Sequence, residues 1–301
     1  MYRGPTVAYT ETVEKDLSRL NQVELGGVDY LNAVTSLLQT ARNRSPDGGV
    51  WEAADLQWWW RRDQHEDPRG QIFWVDAENP VAAVVLTNWG SRWQCDLICT
   101  EEETSQSASL LWNRAAQQIE ALDANPLEVV VRADDQALLD VLISQAGFTV
   151  GGEPGVNSWM SACERPPIPP LQPGFKLVAR SDVLDTLHHM SPRSGANIAD
   201  RLAECSLYDA KLDLAIYTTS GELAAYALFW VDPITGVGLV EPMRTEEKYQ
   251  RRGLALHLLA TGLDRMANAG SSRFKVGSDH DLYLRAGFHP TTTVLSLTPT
   301  S

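Results

Sequence analysis

The run Tyr249-Gln250-Arg251-Arg252-Gly253-Leu254-Ala255 holds the residue types that cradle a phosphate. It follows a strand-like stretch and opens a helical one. The first turn of a helix leaves backbone N–H groups unpaired and carries a partial positive charge, which suits a pyrophosphate. Gly253 and Ala255 are small enough to let an anionic group reach the backbone. Arg251 and Arg252 add charge, and Lys248 stands just before them. The plainer reading of the same residues is an exposed helix start. Metal chemistry finds no comparable constellation. Cys95 and Cys99 have the wrong spacing for a zinc knuckle, and no second Cys/His pair answers them. The four cysteines, with Cys163 and Cys205, read as free thiols in a reducing cytoplasm, and no metal is expected.

The elements that must position this loop follow a simple order. Residues 212–219 read as a strand, Ser220-Gly221 turns the chain into a second over 222–231, and a third runs over 237–245. Leucines at 254, 258, 259 and 263 then recur at helical spacing. A strand at 273–276, a short helix around 282–285 and a last strand at 292–297 complete the half. Two helices, over 182–189 and 196–206, come before them all. The first half repeats the order: helices over 30–41 and 55–61, strands over 71–76, 81–88 and 93–99, a helix over 108–122, a strand over 127–132, a helix over 136–145 and a strand over 158–162. Ala146-Gly147-Phe148 answers Ala286-Gly287-Phe288. Between the halves, residues 164–174 hold five prolines and read as an extended linker. The expected division is a first domain over 1–163, the linker, and a second domain over 175–301.

Two motifs in this order, Gln250-x-x-Gly253-x-Ala255 and Leu282-Tyr283-x-x-x-Gly287-Phe288, resemble the signatures of the GNAT acyltransferase superfamily. The resemblance covers residues 175–301. It implies a mixed α/β fold: two tandem GNAT-like domains, each a mixed, mostly antiparallel central sheet flanked by helices. It also implies acetyl-CoA as the acyl donor. Gln250, Arg251, Arg252, Gly253, Leu254 and Ala255 would hold the pyrophosphate. Backbone groups of Met243, Arg244 and Thr245, on a strand that splays from its neighbour, would bond the pantetheine arm. Pro242 has no N–H and fits a locally broken ladder. One departure is the Gly277-Ser278-Asp279-His280-Asp281 lead-in to Leu282-Tyr283.

Acyl transfer to an amine needs a neutral nucleophile, a stabilised oxyanion and a proton for the departing thiolate. A lysine-like ammonium costs roughly 4–5 kcal/mol to deprotonate at pH 7, and a carboxylate beside the acyl group relieves that. Glu241 is the candidate base by the resemblance, with a structural carboxylate as the alternative. Tyr283 would protonate the coenzyme A thiolate, or is a half-buried aromatic whose hydroxyl finds a partner. A backbone N–H near Met243 would form the oxyanion hole. His280 reads as an exposed loop residue.

The first half repeats the order of elements without the chemistry. At the matching place stands Ser107-Ala108-Ser109-Leu110, preceded by Glu101-Glu102-Glu103, and Ile143 takes the place of Tyr283. No cofactor site is expected there. Its run Trp58-Trp59-Trp60 is not expected to face one core with all three indoles, which makes at least one a candidate for an interface or pocket, with core packing as the default reading.

The net charge of −14 is uneven: residues 1–165 carry 12 Lys and Arg against 25 Asp and Glu, and residues 166–301 carry 13 against 14. That balance opposes nucleic-acid binding. No apolar run is long enough to span a membrane, and no signal-peptide pattern opens the chain. The reading is a cytoplasmic monomer or homodimer: an N-acetyltransferase acting on a primary amine of a small, cationic molecule. A non-catalytic acyl-CoA sensor and a protein-directed acetyltransferase are the alternatives.

Overall fold

The computed structural model describes residues 16–61, 70–100 and 104–300. The first half runs β1 (Asn21–Leu25), α1 (Gly27–Arg44), α2 (Ala53–Trp59), β2 (Gln71–Asp76), β3 (Asn79–Asn88), β4 (Trp93–Cys99), α3 (Ser105–Leu122), β5 (Leu127–Arg132), α4 (Gln136–Leu139, continuing as a π-turn over Asp140–Gln145) and β6 (Phe148–Ser161). The second runs β7 (Phe175–Ala179), α5 (Ser191–Ser194), α6 (Ile198–Ala203), β8 (Asp213–Thr218), β9 (Leu223–Asp232), β10 (Val237–Thr245), α7 (Leu254–Asn268), β11 (Arg273–Val276), α8 (Asp281–Ala286) and β12 (His289–Pro299). The expected order holds in both halves, with β1 and β7 added at the start of each. The helix expected over 182–189 does not form: after a 3-10 turn the segment is loop up to α5.

All the strands form one sheet, in the order β1-β2-β3-β4-β5-β12-β6-β11-β10-β9-β8-β7. The final strand of each half crosses over. β12 pairs with β5 at 294–297, and β6 pairs with β11 at 273–276, while β6 and β12 pair with each other along their length. A pseudo-two-fold axis therefore passes between β6 and β12, and each half completes the sheet of the other. The proline-rich linker lies on α7, where Pro169 O accepts a 2.7 Å hydrogen bond from His257 Nδ1 and Arg165 pairs with Asp264 at 3.1 Å.

Helix packing follows the periodicity. One stripe of α7 buries Leu258, Leu259, Leu263 and Met266 against β8–β11. Gly262 allows the close approach, because a Cβ there would sit 2.1 Å from the Phe229 ring. On the other face of the sheet, α1 and α2 share a core with α6 and with both sets of strands. Trp58, Trp59 and Trp60 are all buried in it, beside Ile198, Leu202, Tyr226, Leu228 and Trp230 of the second half. The tryptophan run thus faces one core, and that core is the interface. Polar contacts fix it: Trp60 Nε1 donates to Glu204 (2.6 Å), and Gln57 bonds Ser206 Oγ and Leu207 N (both 2.9 Å).

Candidate active site

Strand β10 pairs in parallel with β11 only at Val237, Gly238 and Leu239. Beyond Leu239 its β11-side edge has no strand partner among the described residues. On the β9 side the register slips between Val240 and Met243, an extra residue accommodated at Glu241-Pro242. Met243, Arg244 and Thr245 then resume pairing with Ala227, Tyr226 and Ala225. Their other backbone edge lies on the side where β11 no longer pairs with β10. Side chains alternate: Met243 packs toward α7, while Arg244 shares the face of Tyr226 and pairs with Glu246 at 3.2 Å. The Arg244 guanidinium is therefore directed at the α2 face.

Gly253 is the N-cap of α7, with φ of +76°, and no side chain caps the helix. A Cβ at Gly253 would meet nothing within 4 Å, so the space over the first turn is open. Leu254 is buried and offers only its backbone, whereas Gln250, Arg251, Arg252 and Gly253 are exposed. Arg251 also takes a left-handed conformation, φ +59°, which turns the loop sharply into the helix. At the end of β10, Thr245 Oγ1 is buried without a hydrogen-bond partner. An uncapped helix start, an open glycine and an orphaned hydroxyl beside unpaired strand edge fit the diphosphate and amides of coenzyme A. Lys248 bears differently on the loop: it pairs with Glu222, which also accepts from Tyr249, so much of its charge is answered locally.

Glu241 sits at the bulge. Its carbonyl accepts from Trp230 Nε1 at 2.7 Å, and its carboxyl accepts from the Trp58 indole. The carboxyl stands at about 7: burial, and after it the Asp55 charge, raise it, while Arg61 and the Trp58 hydrogen bond pull it down. Three of these four influences come from the first half. Asp55 is itself held: Glu52 N donates to it at 2.7 Å, and the buried Lys275 of β11 lies 3.7 Å away, while also pairing with Glu52 at 3.1 Å. Sequence reasoning missed Asp55, Trp58 and Lys275 as neighbours of the site, since nothing in the spacing joins α2 to β10.

Tyr283, on α8, is half-buried, its ring 5.9 Å from Phe288. Burial and the Glu241 charge push its phenol up to about 12. His280 is the N-cap of α8, its Nδ1 accepting from Leu282 N at 3.2 Å, so it supports the helix that carries Tyr283.

A second cluster escaped sequence reading. His188 Nε2 and His189 Nε2 lie 2.9 and 3.0 Å from the two oxygens of buried Asp213, and Tyr208 OH donates to the same carboxylate. The spacing would suit a metal, but Met190 N–H donates to His188 Nδ1. That places the His188 proton on Nε2, where it donates to Asp213. The cluster anchors the loop ahead of α5 and holds Asp213 far below the usual carboxylate range, its hydrogen bonds and charge contacts with the two histidines outweighing the opposing cost of burial.

In the first half, α3 begins at Ser105 with Thr104 as N-cap. The position matching Gly253 is therefore Thr104, earlier than the Ser107–Leu110 expected. The capping box between Thr104 and Ser107 starts the helix there. The three glutamates at 101–103 lie outside the described residues. Ile143 stands on the π-turn where Tyr283 stands on α8, and offers no hydroxyl.

Residues 185–288 match the sequence model of the acetyltransferase (GNAT) family. No curated protein sequence matches the chain. Among solved structures, a tandem GNAT protein from the clavulanic acid biosynthesis pathway superposes with a TM-score of 0.66 at 14% identity, covering 94% of this chain and all of that one. A GCN5-related N-acetyltransferase from Sphaerobacter thermophilus gives 0.58 at 16% identity, covering 93% of this chain and 95% of the other. A GNAT-family acetyltransferase from Colwellia psychrerythraea gives 0.56 at 12%, covering 93% and 100%. The family's sequence is thus carried by residues 185–288 of the second half, and the chain as a whole shares the fold of tandem GNAT structures.

Proposed function

We propose that the second half is an acyl-CoA-dependent N-acetyltransferase that moves an acetyl group to a primary amine of a small cationic molecule, by direct attack with donor and acceptor bound together. The observation that carries this reading is the pair Glu241 and Tyr283, the charge of the first reaching the phenol of the second, with Glu241 on the strand whose edge opens beyond Leu239. Acetyl-CoA, when bound, supplies a thioester carbonyl open to attack by an amine. Glu241, at about 7, accepts a proton from the acceptor ammonium near neutral pH, which frees the nitrogen lone pair. As the C–N bond forms and the C–S bond breaks, Tyr283 would give its proton to the departing sulfur and regain one from the nitrogen, which sheds its second proton as the amide forms. The raised pKa of Tyr283 keeps it protonated throughout the physiological range, so the donor is always in place. A backbone N–H near Met243 would stabilise the carbonyl oxygen as it gains charge. Asp55 and Glu241 together give the acceptor side a negative field suited to an ammonium.

The test is thiol release from acetyl-CoA across a panel of small amines, with cationic, neutral and anionic members. Release that depends on a cationic amine and saturates with it is the expected result. Tight coenzyme A binding with no amine-dependent release would leave an acyl-CoA sensor instead.

A further inference from the structure

The slip in β10 puts two charged side chains of opposite sign on one face. Val240 and Met243 both pack toward α7, although an unbroken strand would send them to opposite faces. Glu241 and Arg244 follow them by one residue each and therefore share the other face. There Glu241 accepts from Trp58, and Arg244 is the register partner of Tyr226. Both side chains are only half-buried. The rise of a strand sets their roots at most about 10 Å apart.

The Arg244 end of this face is cationic. Arg193 of α5 donates through Nη2 to both oxygens of Glu246, at 3.2 and 3.0 Å, and Arg244 donates through Nε to Oε1 at 3.2 Å. One carboxylate thus answers two guanidiniums, and a positive charge is left over. Among the described residues, Nε and Nη1 of Arg193 and both Nη atoms of Arg244 have no hydrogen-bond partner. The two side chains are 47% and 37% exposed, so these donors are within reach of a ligand. Arg61 adds a further positive charge, held by Trp58: it donates to the Trp58 carbonyl at 2.8 Å and lies 3.7 Å over the indole.

Tyr226 brings a hydroxyl to the same charges. The residue is 6% exposed, and its ring is braced by His189 at 5.5 Å. The charges that reach its phenol are those of Arg193, Arg244, Glu246 and Arg61, and no hydrogen bond among the described residues engages its oxygen. A nearly buried hydroxyl without a partner, set among guanidiniums, lacks an acceptor oxygen. The opposite end of the face carries Glu241 and the Asp55 charge that acts on it. The face is therefore positive at one end and negative at the other.

We propose that this face takes a basic amino acid as the acceptor, its carboxylate against Arg193, Arg244 and the Tyr226 hydroxyl and its side-chain amine at Glu241. This names the substrate class of the acetyltransferase reading and rests on it. Guanidiniums with free N–H groups bond a planar carboxylate well. An α-amine is fixed beside its own carboxylate and does not span from Arg244 to Glu241, whereas an amine set off by methylenes does. Such a molecule has an ammonium at each nitrogen against a single carboxylate, so it remains a net cation. The acetyl carbon bonds to the side-chain nitrogen as its C–S bond breaks, and the carboxylate end takes no part in the exchange.

Two pairs of amines that differ only by the carboxylate test it: lysine against cadaverine, and ornithine against putrescine. Each is titrated calorimetrically into the full chain with coenzyme A present, and each is assayed for thiol release from acetyl-CoA. In at least one pair the amino acid should bind, and react by kcat/KM, roughly tenfold or more better than its decarboxylated partner. That ratio should fall to within about twofold in Arg244→Gln and in Arg193→Gln. Both substitutions are at exposed side chains on different elements, so one stands if the other fails to fold. Equal binding within both pairs, a ratio unchanged in both folded variants, or no binding of either amino acid at millimolar concentration would overturn the proposal. Release that is equal within both pairs would overturn it too and leave the acetyltransferase reading standing. An amino acid held through the arginines without thiol release would overturn that reading instead and support the carboxylate pocket.

Discussion

The charge of the Glu241 carboxyl reaches the Tyr283 phenol: burial first, and then that charge, push Tyr283 up to about 12, while Glu241 itself stands at about 7. One group is therefore poised to take a proton near neutrality, and the other holds its proton at every physiological pH. The two lie in different elements, a strand bulge and a short helix, and packing brings them together.

Tyr283→Phe removes the hydroxyl and keeps the ring that packs on Phe288. Turnover should fall by ~10²-fold or more, with coenzyme A affinity nearly unchanged. Steady-state kinetics and a coenzyme A titration on the same preparation separate these effects. Full turnover in the variant would make Tyr283 a packing residue.

The pH limb of activity should answer to the first half of the chain. The Trp58 indole hydrogen bond lowers the Glu241 pKa and Asp55 raises it. Trp58→Phe should therefore move the rising limb of kcat to higher pH, and Asp55→Asn should move it lower. Opposite shifts from two substitutions on one helix are a result that loss of packing alone does not give. Profiles that coincide with wild type would detach α2 from the chemistry.

Stability carries the same signature. The folded-state pKa of Glu241 lies above the ordinary carboxylate value of 4.5, so the native state binds the proton more tightly than the unfolded one. The stability due to the protonated form is complete below about 4.5 and is lost as pH rises through about 7. Glu241→Gln should leave melting at pH 4 unchanged and raise stability at pH 8 by about 2 kcal/mol, the full shift being discounted for partial exposure. Thermal melting at the two pH values measures it, and an equal effect at both would place the ordinary pKa on Glu241.

Much of this arrangement was legible in the residues. The Gln250–Ala255 loop, the order of elements and the paired Ala-Gly-Phe runs at 146–148 and 286–288 came from local spacing, and the wedge beyond Leu239 was implied by the resemblance. The exchange of β6 and β12 was not legible, because an alternating pattern specifies a strand and a face but not its neighbour. Nor were the contacts of Asp55 and Trp58 with Glu241, which depend on how α2 docks across the two-fold. The loop over 182–189 has a local cause: adjacent residues on a helix point about 100° apart, whereas Asp213 draws both His188 and His189 onto one carboxylate. A helix could not satisfy both.

The Gln250–Ala255 loop gives the sharpest contrast between the halves. In the second, Gly253 holds φ at +76° ahead of an uncapped helix; in the first, Thr104 closes the matching turn. Coenzyme A should therefore bind once per chain. Gly253→Glu forces a β-carbon into a left-handed conformation and sets a carboxylate where the phosphates approach, two effects of the same sign. Affinity for coenzyme A should fall at least tenfold, roughly the loss of one charge-assisted contact. Thr104→Gly, which opens the first-half turn, should create no second site, since three glutamates precede that turn in the sequence and no tyrosine answers Tyr283. Calorimetric stoichiometry reads both variants. Two equivalent sites in the wild type, or a Gly253→Glu protein that binds as tightly as before, would remove the loop from cofactor binding.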